Sequence, residues 1–348
     1  MAASARWSPP SWLTPAGAVA CLIVLAAAAL LDGGGWRAWL GAAFLWASIP
    51  IGALAVLMIM RLTPGDWSEE LGPFMEAQAL LLPLGALLIA PVLVETARIY
   101  PWTAQRATTA FRASYLSAPM FIGRTVAWYV LLFALAFLLV LRQRRSTPMA
   151  CIGLVLLPLL GDVIATDWLL SLDPQYASSG FGLYVLDIQM LSAFAVVVIA
   201  LTLSARPVLR PGIIGGVLLT LLLFWSYLAF THFVITWSDN LPPGVRWYQR
   251  RGGPWAVVIW LAAATRIVPT FLLFFPSIRR SRRMLAALAT AVVAGSMLES
   301  AWLVLPAAAP AATAPDVALF VVANIAMGAL SVGAFQRAFP WQLARRPA

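Results

Sequence analysis

The chain has 348 residues, 62% hydrophobic and 10% charged, with a mean hydropathy of +0.89. Soluble domains carry about a quarter charged residues, so a water-soluble globular fold is excluded and an integral membrane protein is expected. The formal charge of +10 rests on 23 basic residues, all Arg; in a polytopic protein such an excess sets orientation and implies no nucleic acid.

Apolar windows of about 19 residues predict ten membrane helices. In chain order they are Pro15 to Leu31, Ala38 to Met60, Glu76 to Arg98, Met120 to Leu141, Met149 to Ser171, Gly180 to Ser204, Ile213 to Trp237, Pro254 to Pro276, Arg283 to Leu305 and Pro315 to Gln336. The first is read as a retained helix, because Trp7, Pro9, Pro10 and Trp12 resemble an interfacial lead-in more than the basic start of a signal peptide. The expected fold is all-α: one ten-helix domain over 15–336, flanked by tails 1–14 and 337–348. Pro50, Pro83, Pro91, Pro158 and Pro269 fall inside predicted helices as structural kinks.

Ten crossings put both termini on one side. That side holds 14 Arg: Arg6, Arg61, Arg142, Arg144, Arg145, Arg206, Arg210, Arg279, Arg280, Arg282, Arg283, Arg337, Arg345 and Arg346. The other holds 7: Arg37, Arg98, Arg106, Arg112, Arg246, Arg250 and Arg251. Both tails are therefore expected to be cytoplasmic, with the Arg279 to Arg283 run as a topology anchor. Trp39, Trp67, Trp102, Trp168, Trp237, Trp255, Trp302 and Trp341 lie near predicted helix ends, where interfacial belts are expected.

Cys21 and Cys151 lie in apolar runs and His232 is the single histidine. These ligands cannot complete a zinc, iron-sulfur or bis-His haem shell, so no disulfide and no intrinsic redox cofactor are expected.

An ionisable group at bilayer depth costs at least about 2.5 kcal/mol on insertion scales and is a candidate for function. At 1.5 Å per residue, Asp162 lies roughly 14 Å, Asp187 roughly 10 Å, Glu299 roughly 9 Å, His232 roughly 7 Å and Arg124 roughly 6 Å from the outer ends of their helices, with Arg266 near mid-depth. Helical spacing groups Asp162, Thr166 and Asp173; Gly180, Tyr184 and Asp187; Trp225, His232 and Thr236; and Ser296, Glu299 and Ser300. Polar stripes converging from four helices suit an outward-opening proton path or a quinone headgroup pocket. The plainer alternative locks Asp162 or Asp187 in a structural pair with Arg266 or Arg124 and lets His232 bind a nearby carbonyl.

Two blocks carry a family likeness. One is Asp167-Trp168-Leu169-Leu170-Ser171-Leu172-Asp173-Pro174 followed by Ser178-Ser179-Gly180-Phe181-Gly182-Leu183-Tyr184. The other is Phe224-Trp225-Ser226-Tyr227-Leu228-Ala229-Phe230, then Ile235 to Pro242 and Trp247-Tyr248-Gln249-Arg250-Arg251. Together they resemble the second polysulfide-reductase-like (NrfD-like) membrane subunit of alternative complex III, a quinol:cytochrome c oxidoreductase. The likeness covers roughly 160–285. This chain departs from the family at 205–212, at Thr231-His232 and at Pro243-Gly244.

The resemblance implies a pair of four-helix bundles with flanking helices in the bacterial inner membrane. It implies a metal-free, non-redox subunit beside a related quinol-site membrane subunit, with multihaem cytochrome c and iron-sulfur subunits as partners. The expected role is support of quinone or quinol access and of proton translocation, and the polar stripes supply the proton-path or quinone-pocket candidates Asp162, Asp187, His232, Arg266, Arg124, Glu299 and Tyr184. A stand-alone secondary transporter and a purely structural membrane anchor stay open as rivals, as does whether the chain is itself an enzyme.

Overall fold

A computed structural model describes residues 12–105, 109–142, 146–204, 208–307 and 312–344. Arg6, Trp7, Pro9, Pro10, Arg106, Arg144, Arg145, Arg206, Arg345 and Arg346 lie outside these described residues. Among the described residues ten helices are long and apolar enough to cross a membrane, so the chain is an all-α, multi-pass membrane protein. Spans 1 to 10 are Leu13–Leu30, Gly33–Leu62, Asp66–Val94, Ala118–Arg142, Thr147–Leu172, Phe181–Leu203, Pro211–Asp239, Pro254–Leu273, Arg282–Val304 and Ala314–Leu343.

All ten predicted windows correspond to spans, with shifted ends. Span 3 starts ten residues earlier than hydropathy suggests, at Asp66 instead of Glu76, and turns at Leu80 and Leu81. Pro83, at the start of the second half, has no amide hydrogen to carry the ladder through. Pro50, Pro91, Pro158 and Pro269 sit inside unbroken helices. The last helix continues past Gln336 to Ala344, so the segment read as a tail begins as helix.

Spans 2 to 5 pack in a closed ring, 2 on 3, 3 on 4, 4 on 5 and 5 on 2; spans 6 to 9 close a second ring in the same way. Spans 2 and 6 join the rings. Their most apolar windows are 89% and 72% buried, against 22% for span 1, as expected of helices that are hydrophobic all round. Gly52 allows their contact: a Cβ there would collide with the Gln189 carbonyl group. Such close approach through small residues is the usual basis of helix packing in lipid. Spans 1 and 10 pair antiparallel outside the rings, Gly17 against Leu330 and Thr14 against Gly333, which puts the described chain ends on one side.

Several tryptophans expected in interfacial belts are internal fasteners. Trp39 donates to the Leu88 carbonyl at 2.9 Å, Trp168 to Thr125 at 3.1 Å, Trp102 to Ser171 at 3.1 Å and Trp302 to the Arg251 carbonyl at 3.3 Å; all four are buried. Trp237 and Trp341 are exposed. Within the basic run expected to anchor the topology, Arg282 donates to the carbonyls of Thr202 and Ser204, completing the C-terminal end of span 6.

Beyond span 7, Asn240 takes a left-handed conformation (φ 48°) and stops the helix. A short helix, Pro242–Arg250, then lies across the end of the second ring, and Gly253 (φ 59°) turns the chain into span 8. Hydropathy gives no hint of this segment, which is polar on average.

Candidate functional site

The second ring encloses the main polar cluster, and each of its helices contributes. Glu299 of span 9 is fully buried and accepts from three directions: from Tyr184 of span 6, from Trp225 Nε1 of span 7 at 3.1 Å, and from Arg266 Nη1 of span 8. The second guanidinium nitrogen of Arg266 donates to Ser296 at 3.0 Å, whose hydroxyl lies 2.8 Å from that of Ser192. The Arg266 guanidinium carbon sits 4.5 Å from the Trp225 ring centre, a cation-π contact in a site without water-exposed neighbours. The partners of Glu299 satisfy both of its oxygens, which is what a buried ion pair requires.

Asp187, one turn beyond Tyr184 on span 6, is also fully buried. Neither carboxyl oxygen has a hydrogen-bond partner among the described residues, although Arg266 and Glu299 lie within electrostatic range. An unpaired carboxyl here costs several kcal/mol in its charged form, on the order of the penalty for any buried ion, so Asp187 is the least satisfied group of the cluster.

His232 forms a second centre beside the first, at the end of the ring over which Pro242–Arg250 lies. Its Nδ1 is 3.2 Å from the Tyr248 hydroxyl and its Nε2 is 3.1 Å from the Tyr176 hydroxyl. Thr236 donates to the His232 carbonyl at 2.9 Å, which leaves its oxygen to accept from Tyr176 at 3.0 Å. With that proton committed, Tyr176 accepts from His232 Nε2–H, and Tyr248 donates to Nδ1. The result is a single directed chain from Tyr248 through the neutral imidazole to Tyr176 and Thr236.

A cavity of about 370 Å³ adjoins this chain, lined by Tyr176, Ser178, Thr231, His232, Thr236 and Ile235 among others. Ile235 is 61% exposed on the outer surface of span 7, so the cavity borders the lipid-facing side as well as the end of the bundle. Its size lies within the range of small-molecule sites, and its donors and acceptors are few and convergent. The Tyr184 ring lies parallel to His232 at 5.8 Å, linking the cavity wall to the Glu299 cluster.

Arg251 supports this arrangement from beneath. It is 2% exposed, lies 3.8 Å over the Trp247 ring, and donates to Asp173 at 3.2 Å and to the carbonyls of Trp247 and Leu303. Burial lowers its pKa to about 10, with Asp173 opposing; burial likewise raises Asp173, against the pull of Arg251 and Arg250. Burial also raises the phenols of Tyr176 and Tyr248 above their ordinary value, so both hydroxyls keep their protons near neutral pH.

The sequence grouping is thus divided. Tyr184, Arg266, Glu299 and Asp187 come together, with His232 adjoining through Tyr184. Arg124 pairs bidentately with Asp167, at 2.6 and 3.0 Å, and clamps span 4 to span 5 in the other ring. Asp162 accepts from the Gly182 amide at 2.9 Å and caps the start of span 6. The expected pairings of Asp162 or Asp187 with Arg266 or Arg124 are therefore replaced by Arg266–Glu299 and Arg124–Asp167. Asp173 does not continue the Asp162 stripe, because the α-helix ends at Trp168 and a 3-10 turn, Leu170–Leu172, follows.

Tyr176, Tyr248, Trp247 and Arg251 escape a sequence reading of the site. Trp247, Tyr248 and Arg251 lie in the block that carries the family likeness, where Arg250 and Arg251 look like ordinary orienting charges; Tyr176, between spans 5 and 6, carries no such signal. Among the described residues, no three His, Cys, Asp or Glu side chains group as metal ligands. The chain matches no family model, and no curated protein matches it.

Proposed function

We propose that this chain is a non-redox membrane subunit of a quinol-oxidising respiratory assembly of the alternative complex III type, in which the cavity beside His232 receives a quinone or quinol headgroup. The carrying observation is the imidazole held between two tyrosine hydroxyls at the wall of a lipid-bordering cavity. A quinol hydroxyl needs an acceptor and a quinone carbonyl needs a donor; Tyr176, Thr236 and the imidazole carry both types at the cavity wall, and a headgroup gains them by replacing one of their mutual bonds. Two closed four-helix rings with a flanking pair agree with the architecture that the sequence resemblance implies. Electron transfer belongs to partners, namely a related quinol-site membrane subunit with multihaem cytochrome c and iron-sulfur subunits.

In this reading the protein lies in the bacterial inner membrane with cytoplasmic termini, and proton translocation draws on Asp187, the buried carboxyl with no hydrogen-bond partner among the described residues. Arg124 and Asp162 act as support, since both are engaged in joining helices. The test is quinol oxidation by the purified assembly. His232→Leu and Tyr176→Phe are expected to lower kcat/KM about tenfold with all partners retained, the cost of one or two hydrogen bonds at the headgroup. Unchanged rates in both variants contradict the headgroup site.

A further inference from the structure

At the end of the second ring remote from His232, about 30 Å away along span 7, the chain turns from span 8 into span 9. Arg279, Arg280 and Arg283 fall within five consecutive residues of this turn. None of the three has a hydrogen bond or an ion pair among the described residues, whereas Arg61 and Arg210, at the same end of the bundle, pair with Glu76 and Asp66. Glu70, which also approaches the start of span 7, is engaged by the amides of Leu209 and Arg210 at 2.8 and 3.3 Å. Three like charges this close repel one another unless an anion joins them.

Two of the side chains are seated against a neighbouring helix. Gly215, one turn into span 7, makes room for Arg279, whose side chain and carbonyl a Cβ there would strike; Gly212 lies beside the Arg280 stem in the same way, at ordinary contact distance. Arg279 is half-buried, and its Nε is covered without an acceptor, so an anion reaches it through the open terminal nitrogens. A topological role asks only that charge stay on one side of the membrane. It does not ask that the charge be held in place.

The membrane side of the same turn is apolar and open. Phe271, Phe274 and Phe275, on the last turn of span 8 and just beyond it, are 54% to 65% exposed. Rings that face acyl chains lie next to guanidiniums at headgroup level, and an amphiphile meets both. We infer that Arg279, Arg280 and Arg283 bind the phosphate of an anionic phospholipid whose acyl chains lie along Phe271, Phe274 and Phe275. Guanidiniums donate in pairs to phosphate oxygens, and basic pockets between membrane helices suit acidic headgroups. The turn holds no carboxylate to receive an ammonium, which favours a net-negative headgroup over a zwitterionic one. Arg282 of the same turn caps span 6, so an occupied seat ties one end of all four helices of the second ring together. The seat stands whether or not the cavity beside His232 binds quinol.

The test is native mass spectrometry of the full chain in detergent, titrated with dioleoyl phosphatidylglycerol and, in parallel, with dioleoyl phosphatidylcholine, whose chains are identical. The unaltered protein is expected to bind phosphatidylglycerol about tenfold more tightly, a readout that needs no variant to fold. Arg279→Gln, Arg280→Gln and Arg283→Gln should each weaken that binding about fivefold, and together about a hundredfold. Arg142→Gln combined with Arg337→Gln removes two exposed, unpaired charges at the same end of the bundle, on spans 4 and 10, and should change it less than about twofold. Phenylglyoxal should modify Arg279, Arg280 and Arg283 more slowly in phosphatidylglycerol nanodiscs than in phosphatidylcholine nanodiscs. Equal affinity for the two lipids, an equal loss in the Arg142 and Arg337 variant, or no protection of the three arginines would overturn the seat. Release of the bound lipid by inorganic phosphate would also overturn it, in favour of a soluble anion.

Discussion

The ring of Tyr184 lies parallel to the imidazole of His232 at 5.8 Å while its hydroxyl donates to the buried carboxylate of Glu299. One residue thus joins the lipid-bordering cavity to the charged interior. Tyr184→Phe keeps the stack and removes a donor to a charged acceptor, so it should cost about 1.5–3 kcal/mol. Tyr184→Ala should cost more, because the stack is lost as well. Thermal unfolding in detergent separates the two; equal losses would mean that the hydroxyl contributes nothing.

Arg266 and Glu299 are both fully buried, so neither tolerates the loss of the other. Arg266→Met and Glu299→Gln should each destabilise by about 3–5 kcal/mol, whereas the double replacement by Met should recover part of that loss. A double mutant no better than the worse single variant would show that the remaining partners, Trp225, Tyr184 and Ser296, hold the cluster without the ion pair.

Close helix contact makes a sharper structural prediction. Gly52→Ala drives a methyl into the Gln189 backbone and should prevent spans 2 and 6 from docking, read as loss of folded protein on size exclusion. Gly153→Ala meets the Met58 sulfur and should be milder, because that flexible side chain can turn aside. Gly123→Ala meets nothing within 4 Å and should be neutral or slightly stabilising.

Phenols outside the spans give a pH dependence: Tyr100 and Tyr176 are buried and Tyr248 is partly buried. Tyr100, Tyr176 and Tyr248 are all raised above the ordinary value of 10.0, chiefly by burial. Above about pH 10 the unfolded chain releases these protons while the folded chain keeps them, so stability should fall as pH rises. Melting temperatures measured from about pH 8 to 11 should decline in the upper part of that range. The decline should flatten in a Tyr176→Phe, Tyr248→Phe double variant; an unaltered slope would remove these two groups as the cause.

Hydropathy locates all ten spans because a hydrocarbon core demands long apolar runs, and helical spacing identifies Tyr184, Trp225, Glu299 and Ser296 as inward-facing. It cannot assign partners. Arg124 and Arg266 look alike in sequence, yet ring closure gives one to Asp167 and the other to Glu299. Arg251 reads as a loop charge because its burial depends on Pro242–Arg250 folding back over the bundle, a tertiary event. Tyr176 and Tyr248 reach His232 from segments 56 and 16 residues away, so no local period reveals them. Trp39 and Trp168 sit near span ends as belt residues do, and only the helices packed around them turn them inward.

The central claim, that this chain serves a quinol-oxidising assembly whose electron carriers lie on its neighbours, is tested most directly by what accompanies it from the membrane. Purification in mild detergent, followed by haem staining and mass spectrometry, is predicted to recover multihaem cytochrome c and iron-sulfur subunits in fixed proportion. A homogeneous monomer or homodimer that moves a solute across liposome membranes would contradict the account.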